Sequence, residues 1–172
     1  MNQEQQPSKN LLLEPYQLGD LLLPNKLIMA SLTRMQCDPK TLIPSDINVK
    51  YYAQRASAGF ILSECTPIAQ NGNCFPGCGG MFTKEQVQGW KRVTDAVHTK
   101  GGLIFNQIWH AGRAAHPTTT GGEGNIAPSA LAIRANLRTG VPHVVPKEMT
   151  LEDVKLVQEQ FRQGLKKLAL ME

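Results

Sequence analysis

Apolar residues in this chain come in short blocks, and the blocks change period. Leu27-Ile28-Met29-Ala30-Ser31-Leu32 is a nearly continuous apolar run behind the turn residues Pro24-Asn25, the pattern of a buried strand. Phe60-Ile61-Leu62-Ser63-Glu64-Cys65 and the run from Leu103 to Trp109 have the same character. Between them the spacing is helical. Ser45 or Asp46 is placed to cap a helix reaching about Ala58, with Gly59 as its stop. Thr83 and Gln86 have the spacing of a capping box, in which each side chain satisfies the other's free backbone N–H. Val87, Trp90, Val93 or Thr94, and Val97 follow on one face until Gly101-Gly102. Thr150 to Asp153 opens a last helix in the same way, with an apolar stripe of Val154, Val157, Phe161, Leu165 and Leu168. Asn71 to Gly80 reads as a loop. So does the long stretch from His110 to Met149, rich in Gly, Pro and Thr. A loop of that length without an element of its own often belongs to an active site.

The order strand, helix, strand, helix, strand, long loop, helix predicts parallel strands joined by crossovers. A dinucleotide-binding sheet would carry a Gly-rich turn directly after its first strand. Ser31-Leu32-Thr33-Arg34-Met35 stands there instead, without glycine, which favours a β/α barrel. A closed barrel takes eight strands and about 250 residues. The expected fold is therefore α/β, a partial β/α barrel: three β/α units plus a long loop after the third strand. It would occupy residues 11–172, behind a polar tail at residues 1–10. Three strands alone leave two open edges, so the chain by itself is expected to be poorly stable.

Composition narrows the classes. Hydrophobic residues make up 41% of the 172 residues, enough for a core, and the net charge is only +4. The excess is spread along the chain, with Lys166-Lys167 on an expected helix surface. Nucleic-acid binding calls for a clustered basic stripe and is not expected. Neither a membrane span nor a secretory signal is legible, so a cytoplasmic protein is expected. Cys37, Cys65, Cys74 and Cys78 are expected as free thiols. Cys74 and Cys78, with His110 and His116, also allow a metal-binding module, although the rest of a zinc-site spacing is missing.

In parallel β/α folds chemistry gathers at the C-terminal ends of the strands. Those ends offer Ser31 to Arg34, then Glu64 to Thr66, then Gln107, Trp109, His110 and Arg113. Leu103, Phe105, Gln107 and Trp109 share one face of the third strand, because side chains alternate. A glutamine amide offers both donors and an acceptor and suits the edge of a flat heterocycle. Residue spacing alone favours a Gln that satisfies loop backbone and a Trp that packs in the core. Arg113 suits an anion or, more simply, a brace for the long loop. His98, near a helix C-terminus, needs no other role.

Several segments together carry a resemblance. Gln107-Ile108-Trp109-His110-Ala111-Gly112-Arg113, followed by His116-Pro117, resembles the "QLWHxGR…HP" signature of the old yellow enzyme family of flavin ene-reductases. Asn25 to Arg34 resembles that family's first strand, and Lys50 to Gly59 its next helix. Glu85 to Lys91 and Thr94 to His98 resemble the helix before the glutamine strand. The segments span nearly the whole chain in the family's order. The resemblance implies an FMN-binding (β/α)8 TIM barrel, of which this chain would be a partial barrel holding about the first three β/α units. It implies NADPH or NADH as reductant and, as substrate, a small molecule with an activated C=C bond, such as an enone. Ser31, Leu32 and Thr33 would line the flavin, with Thr33 near its carbonyl edge. Cys65 would bring its backbone close to the flavin, Gln107 would bond the pyrimidine edge, and Trp109 would shape the substrate pocket. His110 is expected to be structural, because the family's carbonyl-binding pair comes from a later strand.

Three positions depart from the family pattern. Ser31 replaces a proline, Cys65 is larger than the usual Ala or Gly, and Asn106 stands where an apolar residue is common. No catalytic residue is assigned within the chain: the carbonyl-binding pair and the proton-donating tyrosine belong to a stretch expected beyond Glu172, as do the phosphate-binding loops. The chain alone is thus expected to hold FMN weakly or not at all. The alternative function is a non-catalytic half-barrel that pairs with a complementary chain or with itself through its open edges.

Overall fold

The computed structural model describes residues 10–171, so the expected polar tail lies, apart from Asn10, outside the described residues. Asn10 caps a short 3-10 turn at Leu11–Leu13. A hairpin follows, β1 (Tyr16–Leu18) and β2 (Leu21–Leu23), antiparallel across Gly19-Asp20. Gly19 sits at φ +56, a left-handed turn conformation that favours glycine.

The centre is a parallel sheet in the order β3 (Ile28–Met29), β4 (Phe60–Pro67), β5 (Ile104–Trp109). The first strand is shorter than the apolar run predicts. Only Ile28 and Met29 pair with β4, and Ile28 is 52% exposed, so this is an edge strand rather than a buried one. Beyond Met29 the chain leaves the ladder, and β4 bulges after Leu62.

Helix α1 (Asp46–Ala53) starts as expected, with Asn48 Oδ1 accepting from Ser45 N at 2.9 Å. It ends five residues before Ala58. The chain then tightens into turns, Arg55 N donating to Tyr52 O and Ala58 N to Arg55 O. This brings Gly59 against the start of β3, where its N–H donates to Leu27 O at 2.7 Å. A Cβ at Gly59 would overlap the carbonyl oxygen of Asn25. The glycine is therefore required by close backbone approach, not by a helix stop.

Helix α2 (Lys84–His98) carries the expected capping box at Thr83 and Gln86. Gln86 is itself buried: its Oε1 accepts from Phe82 N and Thr83 N, and its Nε2 donates to Thr41 O at 3.0 Å. The apolar face of α2 packs Val87, Trp90, Val93 and Val97 with Tyr52, Ile61, Met81 and Met171. This is the main core. Trp90 is fully enclosed, and truncating such a side chain to alanine typically costs about 3–5 kcal/mol.

The long segment after β5 is not structureless. It holds a 3-10 turn at Gly112–Ala114 and two short parallel strands, β6 (Ile126–Ala127) and β7 (Lys147–Glu148). Strands this short leave no periodic trace in a sequence. Helix α3 (Leu151–Leu168) is capped by Thr150 and Asp153. Its expected stripe is only partly covered: Val154 is 38% and Leu165 57% exposed. Its close approach to the sheet is made at Gly164, where a Cβ would stand 2.9 Å from Ile68 Cγ2. Among the described residues no helix is long and apolar enough to cross a membrane.

Candidate functional site

The three strand ends converge, and the convergence starts at the bulge. Leu62 pairs with Phe105, yet Cys65 pairs with Gln107, so β4 carries one extra residue against β5. A bulge interrupts the ladder and re-aims the side chains beside it. Ser63 repairs the interruption. Its buried Oγ accepts from Gln107 N at 3.1 Å and donates to Glu64 O at 2.8 Å. Ser63 was not singled out from sequence. A polar residue inside an apolar strand run was the available signal.

The extra residue also sends Glu64 and Cys65 to different partners. Glu64 is fully buried. Its Oε2 accepts from Arg34 N at 2.9 Å and Met35 N at 3.4 Å, and its Oε1 from Asn48 Nδ2 and the Tyr52 hydroxyl. Met35 has φ +54, an uncommon conformation for a residue with a side chain. Glu64 thus anchors the strained turn that follows Thr33. Burial pushes its carboxyl above the usual carboxylate range, against the pull of these hydrogen bonds.

On the open side, Ser31 Oγ donates to Gln107 Oε1 at 2.6 Å. Thr33 Oγ1 lies 3.0 Å from Cys65 Sγ. Ser31, Thr33, Cys65 and Gln107 therefore come together from all three strand ends, and Leu32 stands beside them, 54% exposed. The serine in place of proline gains a polar link to the glutamine. Cys65 is 6% exposed, its sulfur 3.0 Å from Thr33 Oγ1 and 3.8 Å from Cys78 Sγ. Asn106 lines a separate cavity of about 390 Å³ with Trp90, Phe105 and Leu168. Its Oδ1 is buried without a partner among the described residues. That cavity includes none of Ser31, Thr33, Cys65 and Gln107.

Trp109 ends β5 and stacks on Phe75 of the Gly-rich loop, the ring centroids 5.8 Å apart and the planes at 8°. Phe75 was not anticipated. His110 packs on Gly72, where a Cβ would stand 2.7 Å from the ring. Its Nδ1 accepts from Gly112 N at 3.0 Å, and burial holds the imidazole below its ordinary pKa range. Arg113 braces the long loop through Leu131 O at 2.8 Å and Ser129 Oγ at 3.0 Å. Arg113 thus makes the loop-bracing contacts of its simpler reading, whereas His110 Nε2 is buried without a hydrogen-bond partner among the described residues.

The four cysteines are free thiols. Burial raises Cys37 and Cys74 to about 12. Cys65 is lowered to about 7, chiefly by its hydrogen bond with the Cys78 thiol and also by that with Thr33, against the effect of burial. The same contact and burial push Cys78 up. Cys74, Cys78, His110 and His116 do not gather as a ligand set. Among the described residues no three His, Cys, Asp or Glu side chains do, and His116 Nδ1 is engaged with Thr118.

A hydroxyl pair, one amide and a flat apolar neighbour suit the edge of a planar heterocycle. Gln107 Oε1 accepts from Ser31, and among the described residues its Nε2 hydrogens have no partner. Comparison with known proteins points the same way. Residues 11–169 match the NADH:flavin oxidoreductase / NADH oxidase family. The flavin oxidoreductase hxnT of Emericella nidulans is 40% identical over 91% of this chain and 42% of its own length. A probable flavin mononucleotide-dependent alkene reductase of Leishmania infantum is 38% identical over 86% of this chain and 42% of its own length. The structure of morphinone reductase in complex with tetrahydroNAD superposes with a TM-score of 0.85 at 36% identity, covering 95% of this chain and 47% of that one. The chain thus spans less than half the length of these proteins.

Proposed function

Because this chain belongs to the NADH:flavin oxidoreductase / NADH oxidase family, and its open three-stranded sheet matches part of that family's barrel, we propose that it supplies the first three strands of an FMN-dependent alkene reductase. The incomplete barrel domain is residues 11–172. The whole protein would take NADPH or NADH and an activated C=C bond conjugated to a carbonyl. The observation that carries this reading is the Ser31–Gln107 hydrogen bond, which joins the two outer strand ends across Cys65.

When bound, FMN supplies the hydride transfer between nicotinamide and alkene. The residues of this chain hold and orient it. Gln107 offers the polar edge, and Ser31 fixes the rotation of the Gln107 amide by occupying its oxygen. Thr33 and Leu32 wall the same side. Trp109, stacked on Phe75, shapes the substrate side. The carbonyl-binding pair and the proton donor lie beyond Glu172 in this reading, as do the groups that hold the phosphate. The free thiols fit a reducing compartment such as the cytoplasm.

The test is a titration of flavin fluorescence with the purified chain. FMN and riboflavin should both be quenched saturably, weakly and to similar extent, because the ring edge is held and the phosphate is not. Addition of NADPH or NADH and 2-cyclohexenone should give no turnover above free FMN. Flavin quenching that Gln107→Ala leaves unchanged would overturn the proposed site, and enone turnover would overturn the placement of the proton donor.

The uncovered stripe of α3, with Val154 38% and Leu165 57% exposed, favours a second reading. In it the chain is a non-catalytic half-barrel that pairs with a complementary chain or with itself. A monomer at all concentrations in light scattering speaks against self-association.

A further inference from the structure

We propose that Cys65 and Cys78 form a redox-active dithiol, oxidised to a disulfide by a peroxide. The two sulfurs are 3.8 Å apart. A disulfide needs them at about 2.05 Å, so the bond requires the two sulfurs to draw together from contact distance. Neither cysteine has to cross the fold. Cys65 sits on the bulged part of β4, and Cys78 lies in the Gly-rich loop folded over it, its thiol donating to Cys65 O at 2.7 Å. That loop is docked by Cys37 N donating to Gly77 O at 3.0 Å. Gly77 has φ +68, and a Cβ there would meet Met35 O at 3.0 Å. The loop is thus fixed in the position that presents Cys78.

The environments of the two sulfurs assign their roles. A thiolate is the reactive form of cysteine. Cys65 carries the lowered pKa of the pair, and the Thr33 hydroxyl, 3.0 Å from its sulfur, is the donor left to hold its thiolate when the Cys78 S–H is given to Cys65 O. It attacks one oxygen of hydrogen peroxide. The O–O bond breaks, hydroxide leaves and takes a proton to become water, and Cys65 becomes a sulfenic acid. The Cys78 sulfur then attacks the Cys65 sulfur. The S–S bond forms as the S–O bond breaks, and the Cys78 proton leaves with the hydroxide as a second water. Two thiols are oxidised and one peroxide is reduced to two waters. Formation of the bond draws Cys65 Sγ from Thr33, so oxidation alters the wall formed by Ser31, Leu32 and Thr33. The chemistry stands on the sulfur geometry and does not depend on flavin binding.

The experiment treats the full chain with hydrogen peroxide at neutral pH. Remaining thiols are then alkylated under native conditions, and mass and linked peptides are read by mass spectrometry. The expected result is a loss of two mass units before alkylation, restored by dithiothreitol, with a single Cys65–Cys78 linkage. Cys37→Ser and Cys74→Ser should form the link as the parent does, and Cys78→Ser should instead leave Cys65 as an over-oxidised acid. Linkage through Cys37 or Cys74, a statistical mixture of links, or direct over-oxidation of Cys65 in the parent chain would overturn the proposal.

Discussion

Ser63 Oγ accepts the backbone N–H of Gln107 at 3.1 Å, so a side chain takes the place of the carbonyl that the β4 bulge displaces. The polar side chain at the candidate site is therefore aimed by a residue of the neighbouring strand. Ser63→Ala leaves the Gln107 N–H and the bulge unpaired in a buried setting. An unsatisfied buried group costs about 1–3 kcal/mol. The expected outcome is a lower urea midpoint by circular dichroism together with weaker flavin quenching. An unchanged midpoint would show that the bulge does not need the hydroxyl.

Glu64 predicts a pH dependence. Burial raises its folded pKa above the ordinary value of 4.5, so between the two values the folded state binds more protons than the unfolded state. Stability contributed by this group is then fully present below the unfolded pKa and is lost as pH rises through the folded one. Urea midpoints should fall with rising pH just above the ordinary carboxylate range, and Glu64→Gln should flatten that fall. At neutral pH the same variant turns an amide N–H₂ towards one of the donors now facing Oε1 and Oε2, which should disturb the turn at Met35. A parent and variant with parallel pH profiles would contradict the assignment.

Gly72 is predicted to be intolerant of a side chain for a reason unrelated to turn geometry. An added Cβ would stand 2.7 Å from the His110 ring. Overpacking of this kind costs about 1–3 kcal/mol. Gly72→Ala should lower the urea midpoint, whereas Gly124→Ala, with nothing within 4 Å of the added Cβ, should leave it unchanged. Equal effects would remove the argument that His110 is held by packing.

The parts of the fold that were legible are those with a full period or a reciprocal cap. Helix α2 and the start of α3 follow from Thr83/Gln86 and Thr150/Asp153, because a capping box is written in residues three apart. The run from Leu103 to Trp109 gave β5 within one residue. The hairpin at Tyr16–Leu23 was missed although Gly19-Asp20 is a turn signal, because the leucines after it merge with the apolar run of β3. Two-residue strands such as β6 and β7 are fixed by tertiary pairing and have no pattern to read. At the site, the convergence of Ser31, Thr33, Cys65 and Gln107 follows from parallel strand order. The roles of Ser63 and Phe75 do not, since a bulge and a cross-loop stack depend on register that no local spacing encodes.

The central claim is that Gln107, held by Ser31, presents the polar edge that a flavin ring recognises. The most direct measurement is a side-by-side titration of FMN fluorescence with the parent chain and with Gln107→Ala. Loss of a paired amide contributes about 1–1.5 kcal/mol, so the account predicts saturable quenching by the parent and roughly tenfold weaker binding by the variant. Equal affinity for the two chains would contradict it.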